Sequence, residues 1–314
     1  MPKILVPLDG SAFAERAIET ARAIAAQRNA ALEFVAVHAP ETPPSRTGGA
    51  PVRDPRMDAE SRASLLDYIN RIETAERARS TFPVMAAFRE GAAADEVVAQ
   101  ATSGGASLVV MTTHGRGGVD RLWLGSVADR VIRSATVPVL LVRHRDSTAG
   151  WPPERTVVAV AGADEDERVI ASVIDLVPML RAKVTLAHAV LAAPMIGALD
   201  PAIGPPPDEM AGLPVPEVSD RLHAAERYLE WMAGPLRAGG AVVDTRVLRA
   251  GSAARAVLNL AEADEADLIA VGTAARGPLA RMFMGSVADK IVRSASCSVL
   301  VCPAKPRPQA ETRL

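Results

Sequence analysis

The sequence predicts an α/β fold: two tandem copies of an open five-stranded parallel sheet with helices on both faces. Three observations predict it. The chain repeats itself, since RLWLGSVADRVIRSATVPVLLV (121–142) returns 160 residues later as RMFMGSVADKIVRSASCSVLVC (281–302). Within each copy, apolar runs of strand length alternate with stretches of helical period, the pattern of a parallel sheet covered by helices. Hydrophobic residues make up 49% of the chain but aromatics only 3%. The core is therefore built from Ala, Val, Leu and Ile, as buried parallel strands are.

A chain of 314 residues has room for about two domains. The expected boundaries are 1–145 and 154–305, joined by the polar, Pro-containing RHRDSTAGWPPERT (143–156). The same offset relates 89–101 to 249–261 and 107–114 to 267–274. It shrinks to about 150 between EFVAVHAP and TLAHAVLA, with a longer loop in the second copy absorbing the difference; two copies indicate paired domains rather than a solenoid.

The first copy lays out its elements in order. KILVPL (3–8) is a short apolar run and reads as a strand. SAFAERAIETARAIAAQ is a helix, because Ala14, Ala17, Ile18, Ala21, Ile24 and Ala25 recur at the spacing of one helix face. ALEFVAVH (31–38) is the second strand, and residues 39–56 form a Pro- and Gly-rich loop. A helix is expected from about Asp58 to Arg79, then a strand in PVMAAFRE, a helix over 92–103 and a strand in SLVVMTT. The glycine-bearing THGRGGVDRLWLG leads to a helix over 126–135, and PVLLV closes the copy.

In such a sheet, ligands bind beyond the carboxyl ends of strands, where the strand order reverses. The first strand ends at Pro7-Leu8-Asp9 and the fourth at Met111-Thr112. If these strands are neighbours, Asp9 and the glycine segment face one crevice. Gly115, Gly117 and Gly118 admit close approach of backbone N–H groups to a ligand. Gly125 precedes a helix whose first N–H groups lack intrahelical partners and carry the positive end of the dipole, which suits an anion. Ser126 adds a hydroxyl, and Arg116 and Arg121, recurring as Arg276 and Arg281, add positive charge. Asp9 suits a ribose hydroxyl or an adenine amino group. The competing reading is an ordinary turn. Ser126-Val127-Ala128-Asp129 also fits an S-x-x-D capping box, as does Ser286-Val287-Ala288-Asp289. A cap explains the serine but neither the three glycines nor the two arginines. Neither a Walker loop nor a Rossmann dinucleotide fingerprint occurs.

ILVPLDGS, VVMTTHGR, GSVADRVIRSATVPVLLV and the two-copy layout together resemble a tandem universal stress protein, over residues 2–144 and 155–303. The resemblance implies Rossmann-like, adenine nucleotide alpha-hydrolase-like halves. It also implies ATP bound through a G-x2-G-x9-G-[ST] pattern, with Mg²⁺ arriving on the phosphates. Here the nine-residue spacer lies between Gly115 and Gly125-Ser126, and Thr112 replaces the first glycine. By the same resemblance, Asp9 would hold ribose or adenine and Pro7 would shape the pocket. Ala39 would touch adenine and Met111 would flank it. Gly115, Gly125, Ser126 and Val127 would take the phosphates, with Arg116 beside them.

The second copy keeps Gly272 as the first glycine and Gly285-Ser286, followed by Val287, as the last group. Its middle glycine is Ala275, and His114 becomes Ala274. VVAVAGAD places Gly162 where Asp9 stands, with Asp164 two residues on. Asymmetric binding is expected, the first copy being the stronger. The counter-reading has Asp164 swing in and both copies bind.

The implied function is that of a cytoplasmic ATP-binding protein of the stress response, the nucleotide acting as a regulatory ligand. The sequence shows no general base or nucleophile pair, so at most slow ATP hydrolysis is expected. The alternative is an interaction scaffold of the same fold that binds no nucleotide, which Thr112 and Ala275 favour. An adenylating enzyme would need S-G-G-x-D-S or H-x-G-H, and neither is present. In this family the last strand often pairs between subunits. PVLLV and SVLVC are therefore expected to join the two halves as an intrachain pseudo-dimer, and a further homodimer is plausible.

Other features narrow the classes. The net charge is -2 with no basic block, so no nucleic-acid partner is expected. The N-terminal segment carries no apolar run long enough for a signal peptide or membrane span. Cys297 and Cys302 stand too far apart along one strand to bridge easily. His38 and His188 read as hydrogen-bonded residues at the ends of corresponding strands. The histidines show no H-E-x-x-H spacing. Trp123, which is Phe283 in the other copy, reads as packing. The segments 39–56 and 190–216 read as solvated loops.

Overall fold

The computed structural model describes residues 1–39, 55–113, 124–143, 151–162, 166–178, 182–191, 218–273 and 284–303. The first half runs β1 (Lys3–Leu8), α1 (Ala12–Arg28), β2 (Ala31–His38), α2 (Pro55–Arg79), β3 (Val84–Glu90), α3 (Ala93–Ser103), β4 (Leu108–Thr112), α4 (Ser126–Ser134) and β5 (Val139–Val142). The second half runs β6 (Arg155–Val160), α5 (Asp166–Leu176), β7 (Lys183–Leu191), α6 (Val218–Ala238), β8 (Val242–Ala250), α7 (Ala253–Ala263), β9 (Leu268–Gly272), α8 (Ser286–Ser294) and β10 (Ser298–Cys302).

Local chemistry explains the element ends. Ser11 caps α1, its Oγ accepting from the Ala14 N–H at 3.1 Å, and Asn29 ends the helix in the left-handed region at φ 46°. The six apolar positions read from the sequence are the buried face of α1. Helix α2 begins at Pro55 rather than near Asp58. Proline is at home in a first turn, where its missing N–H would have no intrahelical acceptor.

The two expected sheets are one. The strand order is β3-β2-β1-β4-β5-β10-β9-β6-β7-β8. Each half is parallel throughout. The halves meet where β10 runs antiparallel to β5, with Val299 opposite Leu141 and Val301 opposite Val139. The expected intrachain pairing of the two last strands is therefore what joins the halves.

The core follows the faces of this sheet, not the repeat. One buried cluster includes Ile4, Val6, Ile18, Ile24 and Leu32 of the first half and Val158, Ile170, Leu186 and Leu229 of the second. The other includes Leu5, Val97, Val131 and Leu141 together with Val257, Ile291 and Val299. Burying each such aliphatic side chain stabilises the fold by about 2 kcal/mol, and on both faces these contributions run across the junction.

Polar groups lock the same junction. Asp129 and Arg133 of α4 pair with each other and with α8: Arg133 reaches Asp289 at 2.9 Å and Arg293 reaches Asp129 at 2.9 Å. Arg143, just beyond β5, donates to the Val292 and Ala295 carbonyls at the end of α8, where a cation opposes the negative end of the helix dipole. On the opposite face, Arg28 pairs with Asp175. Gln27 donates to the Leu176 carbonyl at 3.2 Å and accepts from the Trp151 indole at 3.1 Å.

Candidate functional site

Strands β1 and β4 are neighbours, with Ile4 opposite Leu108 and Leu5 opposite Val109. The chain leaves β1 toward β2 and β3, then returns to β4 on the other side, so the carboxyl ends of β1 and β4 form the switch point. Pairing between them stops at Leu5 and Val109. Two residues later stands Pro7, which has no N–H to donate. In the second half Ala159 takes that place, and β6 pairs with β9 from Thr156 through Ala159. The crevice thus opens two residues earlier in the first half.

Asp9 sits on the rim of this opening, half-buried. Its Oδ1 accepts from the Ser11 N–H at 2.9 Å and from the Ser11 hydroxyl at 2.6 Å. The turn that starts α1 therefore holds the carboxylate in place, with Gly10 at φ 82° making the reversal. Met111 and Thr112 are buried at the end of β4, and Ala39 is exposed just past β2. His38, buried before it, is bonded to Asp58 at 3.0 Å.

The Gly125 N–H donates to the Thr113 carbonyl at 2.7 Å, bringing the start of α4 to the end of β4. Gly125, at φ -60° and ψ 149°, is the N-cap and supplies no side-chain bond. This corrects the capping-box expectation: Ser126 is the first helical residue, and it and Val127 are exposed. Asp129 does not turn back to the cap either, because Arg133 and Arg293 hold its carboxylate. The hydrogen bond from Arg133 keeps Asp129 below the usual aspartate range despite partial burial. A first-turn carboxylate would repel an incoming anion, and these two guanidinium groups offset it. Gly285, Ser286 and Val287 repeat the arrangement, the Gly285 N–H donating to the Thr273 carbonyl at 3.2 Å. The expectations for Gly115, Arg116, Gly117, Gly118, Arg121, His114, Trp123, Asp164 and Ala275 fall outside the described residues.

The second half departs from the first at two points of register. Thr156 pairs with Leu268 as Ile4 pairs with Leu108. Ala161 therefore answers to Asp9, and Gly162 to Gly10. Both glycines have positive φ, 82° and 74°. Gly162 is thus the turn glycine and not the replacement for Asp9. The adjoining pairings likewise give Val190, not His188, the position that His38 holds in the first half. His188 lies two residues earlier, its Nδ1 3.1 Å from the Val160 carbonyl.

The carboxylate that does reach this strand end is Asp166, which sequence reasoning missed. It is 3% exposed. It accepts from the Ala161 N–H at 2.9 Å, the Gly162 N–H at 2.7 Å and the Tyr228 hydroxyl at 2.8 Å. The end of β6 is closed by the chain's own acid. Tyr228 has a counterpart in Tyr68, beside Glu15 and Asp9, where burial and then the Glu15 charge raise the phenol above the ordinary tyrosine range. The signal was present, since these are the only two tyrosines in the chain and they stand 160 residues apart.

Gly272 is explained by packing: a Cβ there would meet the Val169 Cγ2 at 3.3 Å. In the first half the position of Val169 is held by Ala17, and the glycine position by Thr112. A larger strand residue is matched by a smaller helix residue, so Thr112 is accommodated without displacing α1.

The sequence profile of the Universal stress protein family matches residues 1–143 and 153–303. A universal stress protein of Mycolicibacterium smegmatis is 28% identical over 196 residues, covering 62% of this chain and 61% of that one. One of Thermus aquaticus is 33% identical over 147 residues, covering 45% of this chain and 97% of that one. Among solved structures, a universal stress protein from Archaeoglobus fulgidus superposes with a TM-score of 0.67 at 17% identity, covering 98% and 97% of the two chains. A Pseudomonas aeruginosa structure follows at 0.62 and 16%, covering 96% and 93%. These likenesses support the fold.

Proposed function

The chain belongs to the universal stress protein family, and from that premise we propose that its first half binds ATP between the ends of β1 and β4, as a regulatory ligand. The observation that carries this reading is the bare start of α4. Gly125 leaves the first N–H groups without a side-chain cap, and Ser126 is exposed beside them. A phosphate is the natural acceptor for such groups. Asp9, held by Ser11 at the end of the neighbouring strand, would take the ribose or adenine end. Mg²⁺ would travel on the phosphates, keeping most of its waters; the described residues hold no cluster of metal-ligating side chains. The ligand is held rather than consumed, with slow hydrolysis at most. The second half is read as the non-binding half, because Ala161 offers no carboxylate and Asp166 already occupies the N–H groups of the turn.

Calorimetric titration of ATP with Mg²⁺ tests this. One site per chain is expected. Asp9→Ala weakens it about tenfold or more by removing a charged hydrogen-bond acceptor. Gly125→Ala also weakens it, by placing a methyl at the helix mouth; φ -60° is a backbone angle alanine adopts freely, and the urea midpoint of the variant reports whether the fold is unchanged. Two sites per chain would refute the silent second half. No heat and no nucleotide carried through purification would refute the ATP reading and leave an interaction scaffold.

A further inference from the structure

We infer that the outer edge of β8 is a docking surface for a second copy of this chain, pairing antiparallel about Thr245 to continue the sheet across a two-fold axis. The two ends of the ten-stranded sheet are treated differently. At β3 the outward carbonyl of Val84 is taken by Arg77 of α2 at 3.0 Å, which blunts that edge. At β8, nine residues long, no other described strand pairs with the outer side.

The sequence of β8 is complementary to itself when reversed. The Val242 N–H donates inward to the Ala182 carbonyl, so alternation turns the backbone groups of Val243, Thr245 and Val247 outward. Antiparallel pairing about Thr245 sets the two Thr245 residues opposite each other as a hydrogen-bonded pair. Val243 then meets Val247, and Val242, which is 70% exposed, meets Leu248. Asp244 meets the partner's Arg246 twice, in the non-hydrogen-bonded positions where side chains come closest. Each is a favourable cross-strand combination.

In the single chain Asp244 is turned on its own strand, its Oδ1 accepting from the Thr245 N–H at 3.0 Å and its Oδ2 from Arg246 at 2.8 Å. Pairing exchanges the first bond for the partner's Thr245 carbonyl and frees the carboxylate for the partner's guanidinium. On the other face, Thr245 Oγ1 donates to Glu230 of α6 at 2.9 Å, so the central residue of the pairing is held in place from within its own chain.

Sedimentation of the full chain, without nucleotide, tests this by charge exchange. The native chain is expected to sediment at twice 32.9 kDa at high concentration. Asp244→Arg or Arg246→Asp alone places like charges opposite each other twice and weakens the dimer about tenfold or more. The double variant Asp244→Arg/Arg246→Asp restores both pairs and the dimer, and an unchanged urea midpoint in each single variant shows separately that the strand still folds although its own Asp244–Arg246 pair is lost. A chain that stays monomeric at high concentration overturns the proposal. So does a dimer indifferent to the single reversals, or one that the double exchange does not recover.

Discussion

Asp9 and Asp166 show how one residue type at nearly the same place does opposite work. Asp9 stands on the rim, half-buried, and accepts from the Ser11 N–H and hydroxyl. Asp166 is buried and satisfies two backbone N–H groups and a phenol. Asp166→Ala removes the buried carboxylate these donors share and is expected to cost about 3 kcal/mol, read as a lower urea midpoint. Asp9→Ala should lose less stability and show its effect in ligand binding. Asp129 supplies a pH prediction. Its folded pKa is held below the ordinary aspartate value near 3.8, first by the Arg133 hydrogen bond. Its contribution to stability is therefore complete above that ordinary value and fades as the pH falls through the depressed one. Asp129→Asn should flatten the loss of stability below pH ~4, where the native chain is still held by the carboxylate; unchanged acid sensitivity would refute the assignment.

At the scale of elements, helix starts separate serine roles that look alike in sequence. Ser11 is a true N-cap and Ser126 is not. Ser11→Ala is expected to cost about 1 kcal/mol, whereas Ser126→Ala should shift the urea midpoint by less than about a third of that. Equal losses would restore the capping-box reading of Ser126. Arg143 belongs to the same scale. It is half-buried and caps α8 from the other half. Arg143→Met keeps the apolar stem and loses the cap, at about 2 kcal/mol, and hydrogen exchange should quicken first at the end of α8. The S-x-x-D pattern was legible; whether it caps was not, because that depends on where the chain enters the helix.

At the scale of the molecule, the two copies of the repeat share one sheet and both of its apolar faces. Both apolar clusters cross the β5–β10 junction, and the Asp129–Arg133–Asp289–Arg293 ring ties α4 to α8. Urea unfolding followed by helix signal and by tryptophan emission should therefore give one transition at one midpoint. Two resolved transitions would mean that the halves unfold independently and that the shared clusters contribute little.

The sequence by itself determined the α/β class, the order of the elements, the buried face of α1 and the strand ends that carry Asp9 and Thr112. Those follow from local periodicity and a visible repeat, which act over a few residues. Tertiary structure alone decided the rest. That two sheets are one depends on an edge meeting an edge, and a strand's apolar run does not say which edge it will meet. The register that gives Ala161, rather than Gly162, the place of Asp9 is set by pairing with β9. Asp166 reaches the end of β6 because α5 begins there and Tyr228 of α6 lies over it. Each depends on residues far apart in the chain being brought into contact, which no local pattern encodes.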